Sequence, residues 1–565
     1  MKTVHHKADF CVVGGGMAGT IAAIAAARHG LKVVLMQDRP VLGGNASSEI
    51  RMWVCGARGK DNRETGILEE IILENHYRNE DRVYTVWDSV VYEKAYLEKN
   101  ITLLLNCTCI DAKREENRIL SVKGWQMTSE TYHIVEAEYF ADCSGDSILA
   151  PLTNAKYMLG RESRDDFGES LAPAERDNKT MGLSCLLQIR ETDSPKKFIK
   201  PEWARTFKTD EELNFRNHRM GTNFWGIELG GDRDSIHDTD DLRHELLSIA
   251  FGVWDHLKNQ GDHGFDNWVL DWIGFLPGKR ESRRYVGEHI ITQNDVEAGG
   301  KFSDTVAYGG WPMDDHNPLG FNHRESGGNV NHPCPSPWGI PWRALYSVNI
   351  ENLLFAGRNI SATHIAMSSS RVMGTCSLMG QAVGTGVAIA VKSGKNVRNI
   401  DIPLLQQTLL YDDCFIPGVK RELSMLTKSA KTNSETVRNG FDRDYDGRNN
   451  AWEGKKGERI EYSFDSPVFV EELRLIFDSD LNRNYLNMPC IYPLKEEKYK
   501  IPKTLIKSYR VLAEIDGEER EIISVDNNRK RFILHKINER LSKISIEPLK
   551  TYGSEIFRVF SVDVK

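Results

Sequence analysis

Three glycines, Gly14, Gly16 and Gly19, stand in G-x-G-x-x-G spacing directly after the apolar run 10–13. The chemistry that asks for this pattern is the holding of a pyrophosphate. Its first glycine makes a tight turn, the second lets the backbone approach the phosphates, and the third lets the next helix lie against the strand. Met17 and Ala18 fill the spacing at the mouth of a small-residue helix over 20–29, whose free N–H groups and partial positive charge favour an anion. A second apolar strand, 31–36, completes a βαβ unit. Where an acid for ribose hydroxyls belongs, the sequence has Gln37 with Asp38 beside it. A Gln amide oxygen accepts a hydroxyl proton without bringing charge, so the ribose contact is expected from Gln37 or, displaced by one, from Asp38.

A second glycine pair follows at once, in Val41-Leu42-Gly43-Gly44-Asn45-Ala46-Ser47-Ser48-Glu49. An NAD enzyme has no use for glycines here, whereas bound FAD carries its pyrophosphate and ribityl chain past this point. FAD is therefore the expected cofactor, with Gly43, Gly44, Asn45, Ser47 and Ser48 among its contacts. With its GGN-x-SSE stretch the chain resembles the bacterial FAD-dependent oxidoreductase family, of the glutathione-reductase structural type. Ser144-Gly145-Asp146, after a strand-like run, matches a third landmark of that type, where the chain returns to the FAD sheet. Farther on, an apolar strand delivers Gly357-Arg358, and Gly374-Thr375 opens a small-residue helix whose N-terminus would stabilise negative charge on reduced flavin.

The resemblance extends to Arg280-Glu281-Ser282-Arg283-Arg284, an arginine-rich segment that in this family lies toward the active site. In an extended segment Arg280, Arg283 and Arg284 cannot all face one way, so at least one is structural. The others would hold a carboxylate or an enediolate-like oxygen, stabilise the anionic reduced flavin, or pair with Glu281 or Glu288. Between strand and helix in the resembling fold, His364 is the leading acid–base candidate: near its ordinary pKa it would take a carbinol proton as hydride leaves. His332, followed by His316 and His323, would approach from the inserted region.

These residues need a scaffold of several domains, and a chain of 565 residues has the core volume for two to four. The expected division is an FAD-binding first part (1–155), an inserted α+β substrate domain (156–340), an FAD-binding second part (341–402), a helical connector (403–430) and an all-β sandwich (431–565). The fold class is thus α/β, Rossmann-like, with a C-terminal β-sandwich. In its first part, strands are expected over 101–109, 119–127 and 132–143. Eight of the twelve tryptophans fall between Trp203 and Trp342, which suits stacking on sugar faces as well as core packing. The last part, with its short alternating strands, resembles a galactose-binding-like or discoidin-like domain. It also carries Asp442-x-Asp444-x-Asp446-Gly447 with Asn450 and Glu453, an EF-hand-like spacing without the flanking helices; a non-EF calcium loop and a solvated acidic turn are the alternatives.

A formal net charge of −8 and the lack of a basic, aromatic-interleaved stripe argue against nucleic acid. No apolar run reads as a membrane span or leader, and a cytoplasmic setting is expected. The ten cysteines lack zinc-site or CxxC spacing, no metal is expected at the active site, and Cys107 and Cys109 are neighbours on one strand face. Together these features predict an FAD-dependent oxidoreductase passing hydride between a small substrate, carbohydrate or polyol by preference, and flavin N5, with an unidentified electron acceptor and a homo-oligomer in prospect. Reduction or desaturation of a C–C bond next to a carboxylate, held by Arg280 or Arg283, is the first alternative. A flavin- or carbohydrate-binding protein with vestigial redox activity is the second.

Overall fold

The computed structural model describes residues 1–213, 226–484, 487–489, 491–495 and 498–565, so Trp225 and Cys490 lie outside the described residues. The chain forms two compact units, each discontinuous in sequence. Met1–Ala57, Arg82–Asp401 and Tyr485–Lys498 build the first; Arg58–Asp81, Ile402–Asn484 and Tyr499–Lys565 build the second.

The first unit is organised by a mixed sheet of β1 (Lys2–Val13), β2 (Val33–Met36), β3 (Ile101–Leu104), β4 (Cys107–Glu115), β5 (Arg118–Gln126) and β6 (Thr131–Asp142), in the order β3-β2-β1-β6-β5-β4. β1, β2, β3 and β6 pair in parallel, and β5 runs antiparallel between β6 and β4. Strand Leu353–Phe355 adds to the end of β6, with Leu353 opposite Phe140, and so brings the later flavin motif back to the same sheet. Residues 101–109 do not make one strand. Asn106 has φ +52°, and this turn sends 101–104 to pair with β2 and 107–115 to pair with β5. Cys107 and Cys109 remain buried neighbours on one face.

Helix α1 (Met17–Arg28) follows β1 and is buried along all but its last residue, as its alanines and isoleucines require. Helix Met373–Ser393 crosses it so closely that a Cβ at Gly380 would run into the Ala18 carbonyl. By length and composition this helix could cross a bilayer, contrary to the reading that no run suffices, but 89% of its apolar window is buried inside the protein. Its hydrophobicity therefore serves the core.

The insert has a core of its own. Leu242, Leu246, Ile249, Val253 and Leu257 recur at helical spacing along helix Thr239–Asn259 and pack with Leu187, Ile189, Trp254 and Trp268. Short antiparallel pairings supply the rest: Leu183–Ser184 lies between Glu228–Leu229 and Gly278–Lys279, and Met313–His316 pairs with Asn329–His332.

The second unit is an antiparallel β-sandwich. Its hydrogen bonding runs through one seven-stranded sheet dominated by Ile460–Phe477 and Phe532–Thr551. Each of these long strands covers what the alternation pattern divides into two. Register shifts between Ser463 and Val468 and between Val470 and Glu472 let one strand bend while its ladder continues. Helix Ile67–Arg78 belongs to this unit and places Leu73 in the sandwich core. The acidic stretch is not gathered as an oxygen cage. Asp442 faces Arg474 at 2.7 Å, Asp444 and Glu453 face Arg558 at 2.8 and 3.2 Å, and Asp446 is exposed at a turn with φ +54°. Arginines thus balance the charges that the spacing offered to calcium.

Candidate active site

A cavity of about 550 Å³ opens at the carboxyl ends of β1, β2 and β6. Gly14, Gly16, Met17, Ala18, Gln37, Asp38, Gly43, Gly44, Asn45, Ser144, Gly145, Asp146, Gly357, Arg358 and Arg280 line it, as the sequence places them together; Arg39, Trp53, Lys279 and Arg371 line it too. Gly19, Ser47, Ser48, Gly374, Thr375, Arg283, His332 and His364 stand outside its lining.

The two glycine loops are joined. Gly43 N–H donates to Gly15 O at 2.8 Å, and Gly16 pairs with Gly43 in a parallel bridge. Gly14 has φ +102°, and a Cβ there would stand 2.5 Å from the Cys143–Ser144 backbone. Only glycine lets the β1 turn and the β6 turn approach in this way. At Gly16 the reverse holds: the nearest atom to a Cβ would be Gly44 Cα at 3.9 Å, so its absence leaves the backbone open to the cavity.

Gln37 is buried and already engaged. Its Oε1 accepts from Gly15 N–H at 2.7 Å and its Nε2 donates to Val41 O at 3.2 Å, which binds both glycine loops to the end of β2. Ser47 and Ser48 are also tied locally: Ser47 Oγ donates to Gly44 O at 2.7 Å, and Ser48 N–H donates to Asp88 at 3.0 Å. Gly374 N–H donates to Cys55 O at 2.7 Å, whereas the buried Thr375 Oγ1 has no hydrogen-bond partner among the described residues.

At the third landmark, Asp142 organises the turn and Asp146 the charge. Asp142, fully buried, accepts from Ser144 Oγ at 2.6 Å, Leu149 N–H at 2.8 Å and Tyr285 Oη at 2.6 Å; burial raises its carboxyl above the usual range. Asp146 accepts from Lys279 at 2.8 Å, Arg358 at 2.7 Å and Ser282 Oγ at 2.8 Å. Burial alone would raise it, but Arg358 and Lys279 hold it below the usual carboxylate range. Neither Asp142 nor Lys279 stood out in the sequence, though Lys279 directly precedes the arginine-rich run.

The three arginines separate. Arg280 reaches the cavity wall, donating to Ser184 Oγ at 2.8 Å and facing Glu228 at 3.5 Å. Arg283 turns aside, over the Tyr157 ring at 5.6 Å and toward Asp146 O at 3.3 Å. Arg284 is sealed: it pairs with Glu162 at 3.0 Å and Glu281 at 3.2 Å and donates to Ala362 O and Gly160 O. It is the structural member of the set. Arg371, which shares the helix-opening motif with Gly374, joins Arg39, Arg280 and Arg358 in the cavity lining and binds Asp314 at 3.0 Å. His316 links the two arginine partners, with Nδ1 2.7 Å from Glu228 and Nε2 3.2 Å from Asp314.

His364 opens the short helix His364–Ser370, capped by Thr363, and is buried rather than poised in a loop. Its Nδ1 lies 2.8 Å from Glu281 and its Nε2 3.1 Å from Asp315. Burial alone would lower its pKa, but these two carboxylates raise it to about 10. The two carboxylates that face its ring nitrogens favour the charged form of His364, unlike the free base expected from its position between strand and helix. His332 ends the strand Asn329–His332, and His323 bonds Ser326 at 2.8 Å. Among the described tryptophans from Trp203 to Trp342 none lines the cavity; Trp254, Trp268, Trp338 and Trp342 are core residues, Trp203 is exposed, and Trp272 stacks on Arg51 at 4.4 Å.

With the cavity and its motifs in place, the comparison with known families is decisive: the pattern described as FAD dependent oxidoreductase matches residues 9–409. The chain belongs to the FAD-dependent oxidoreductase family. Its cofactor is FAD. This oxidoreductase is also 36% identical to glycerol-3-phosphate dehydrogenases of Mycobacterium leprae and Mycobacterium tuberculosis, over 66 residues that make up 12% of this chain and 11% of each relative. Among solved structures it is similar to a geranylgeranyl bacteriochlorophyll reductase-like protein of Thermoplasma acidophilum, with 11% identity, TM-score 0.34, and coverage of 72% of this chain and 82% of that one. A family 32 carbohydrate-binding module from Streptococcus pneumoniae matches with 10% identity and TM-score 0.19, covering 24% of the oxidoreductase and 94% of the module.

Proposed function

We propose that FAD is held in this cavity with its pyrophosphate against Gly14, Gly16, Gly43 and Gly44, and its flavin end toward Gly357, Arg358 and the start of helix Met373–Ser393. The open backbone at Gly16 and the N-termini of two buried helices support this placement. Because the Gln37 side chain is held by Gly15 and Val41 and carries no charge, Asp38 is the residue favoured to accept from the ribose hydroxyls. FAD supplies the two-electron centre for hydride exchange.

The substrate of this reading is a small molecule bearing a carboxylate, reduced or desaturated at the neighbouring carbons. The observation that carries it is the pair of guanidiniums, Arg280 and Arg371, on the cavity wall. Glu228 and Asp314, bridged by His316, fix both cations in place before any ligand arrives, so little reorganisation accompanies binding. Their forked donors match a carboxylate far better than a neutral hydroxyl. The carbohydrate reading loses part of its support, because Trp254, Trp268, Trp338 and Trp342 are committed to the core.

The deciding experiment is anaerobic and spectral. Reduced holoenzyme should be reoxidised by α,β-unsaturated carboxylic acids, or the oxidised flavin bleached by their saturated counterparts, and Arg371→Met should slow either reaction. Bleaching by neutral polyols or sugars, with no response to any acid, would return the carbohydrate reading to first place.

A further inference from the structure

Outside the cofactor cavity, the insert brings three ligand atoms together from separate segments. His256 Nε2 lies 3.1 Å from Asp210 Oδ1 and 3.1 Å from His263 Nε2, and His263 Nε2 lies 3.4 Å from the same carboxylate oxygen. None of the three residues lines the cofactor cavity. Ligands bound at about 2.0–2.2 Å in a tetrahedral zinc site stand about 3.3 Å from one another. The triangle in this chain has that edge.

The orientation of the rings fits as well as the spacing. His256 Nδ1 is 3.0 Å from the Phe207 carbonyl oxygen, which only accepts, so Nδ1 carries a hydrogen and Nε2 is the atom turned to Asp210 and His263. A backbone carbonyl on the far nitrogen is the arrangement that aligns metal-bound imidazoles. His256 sits in the last turn of helix Thr239–Asn259, where the free carbonyls favour a cation. His263 follows in the connection to strand Trp268–Ile273, and Asp210 opens the 3-10 turn Asp210–Leu213. The His256 side chain is 1% exposed, that of His263 12% and that of Asp210 60%, so the triad is walled on the imidazole side and open to water on the carboxylate side.

We propose that Asp210, His256 and His263 supply three ligands of a zinc site. The ion pins the end of the insert's long helix to the two segments that flank it. Its spacing, two histidines seven apart and an aspartate far upstream, has no counterpart among short zinc motifs, which is why cysteine and histidine counting misses it.

The test uses the full chain with its FAD, stripped with a chelator, equilibrated with zinc chloride, desalted and analysed for metal. The wild-type chain should retain one zinc per chain. Asp210→Asn and His263→Gln should each weaken zinc binding by more than the about tenfold loss that follows removal of an outer partner of a metal ligand, with the flavin spectrum unchanged. That spectrum also checks the folding of both variants. Zinc should raise the melting temperature of the wild type and of neither variant. A wild-type chain that retains no zinc would reduce the triad to a hydrogen-bonded cluster, and variants that retain as much zinc as wild type would place the ion elsewhere; either result overturns the proposal.

Discussion

Strand Met313–His316 separates two networks built from the same three kinds of group. On one face Asp314 and His316 join Glu228, Arg280 and Arg371; on the other Asp315 joins His364, Glu281 and Arg284. The first places two guanidiniums on the cavity wall, whereas the second keeps its arginine and histidine out of it. Neighbouring residues on one strand point to opposite faces, so adjacent aspartates feed opposite networks. Composition alone does not distinguish a binding site from a structural cage. Access does.

The sharpest way to break this contrast is Arg284→Met. It leaves Glu162 and Glu281 buried without their cation, and removing one member of a buried pair costs about 3–5 kcal/mol. Thermal or urea unfolding should register that loss, and any FAD still bound should follow the fraction folded. Next in size, Arg280→Met and Arg371→Met should each lower kcat/KM on the reactive acid by about 100-fold, on the scale of losing one preorganised donor, with unfolding changed far less. If Arg371→Met unfolds the chain while Arg284→Met spares it, the assignment of open and sealed networks is reversed.

Sequence spacing revealed the cofactor half of the site because a pyrophosphate cradle is local: Gly14, Gly16 and Gly19 lie within one turn and one helix start, and Gly43 and Gly44 come one strand later. The sheet was legible for the same reason, down to the return of Gly357 on a strand beside β6. Roles set by distant partners were not legible. His364 resembles a free base until Glu281 and Asp315, 83 and 49 positions away, close on its two nitrogens. Alternation required the three arginines to diverge but could not say that Arg284 would be the sealed one. Tryptophan density signalled a change of material, and only packing shows that Trp254, Trp268, Trp338 and Trp342 are core while Trp203 is exposed. The sandwich strands were read short because a bulged strand loses its alternation at the bend while its hydrogen bonds continue.

The sealed network also makes a pH prediction that the open one does not. The folded pKa of His364, about 10, lies above the ordinary value of 6.5. Its charged form therefore stabilises the fold fully below about 6.5, and that contribution is lost as pH rises toward about 10. The wild-type melting temperature should fall across this window, and His364→Gln should flatten the slope while lowering stability most at the acid end. A variant as steep as wild type would mean that other groups carry the alkaline loss.

The finest test compares the adjacent aspartates. Asp314→Asn removes the buried charge that orients Arg371 and should lower both kcat/KM and the melting temperature. Asp315→Asn removes one of two carboxylates from His364 at the less buried end, where its side chain keeps 27% exposure. A partly solvated ion pair contributes about 1 kcal/mol or less, so unfolding should move slightly and turnover should stay as it is. Equal losses of activity in the two variants would mean that the strand transmits the state of the cage to the cavity, and that the two networks act as one.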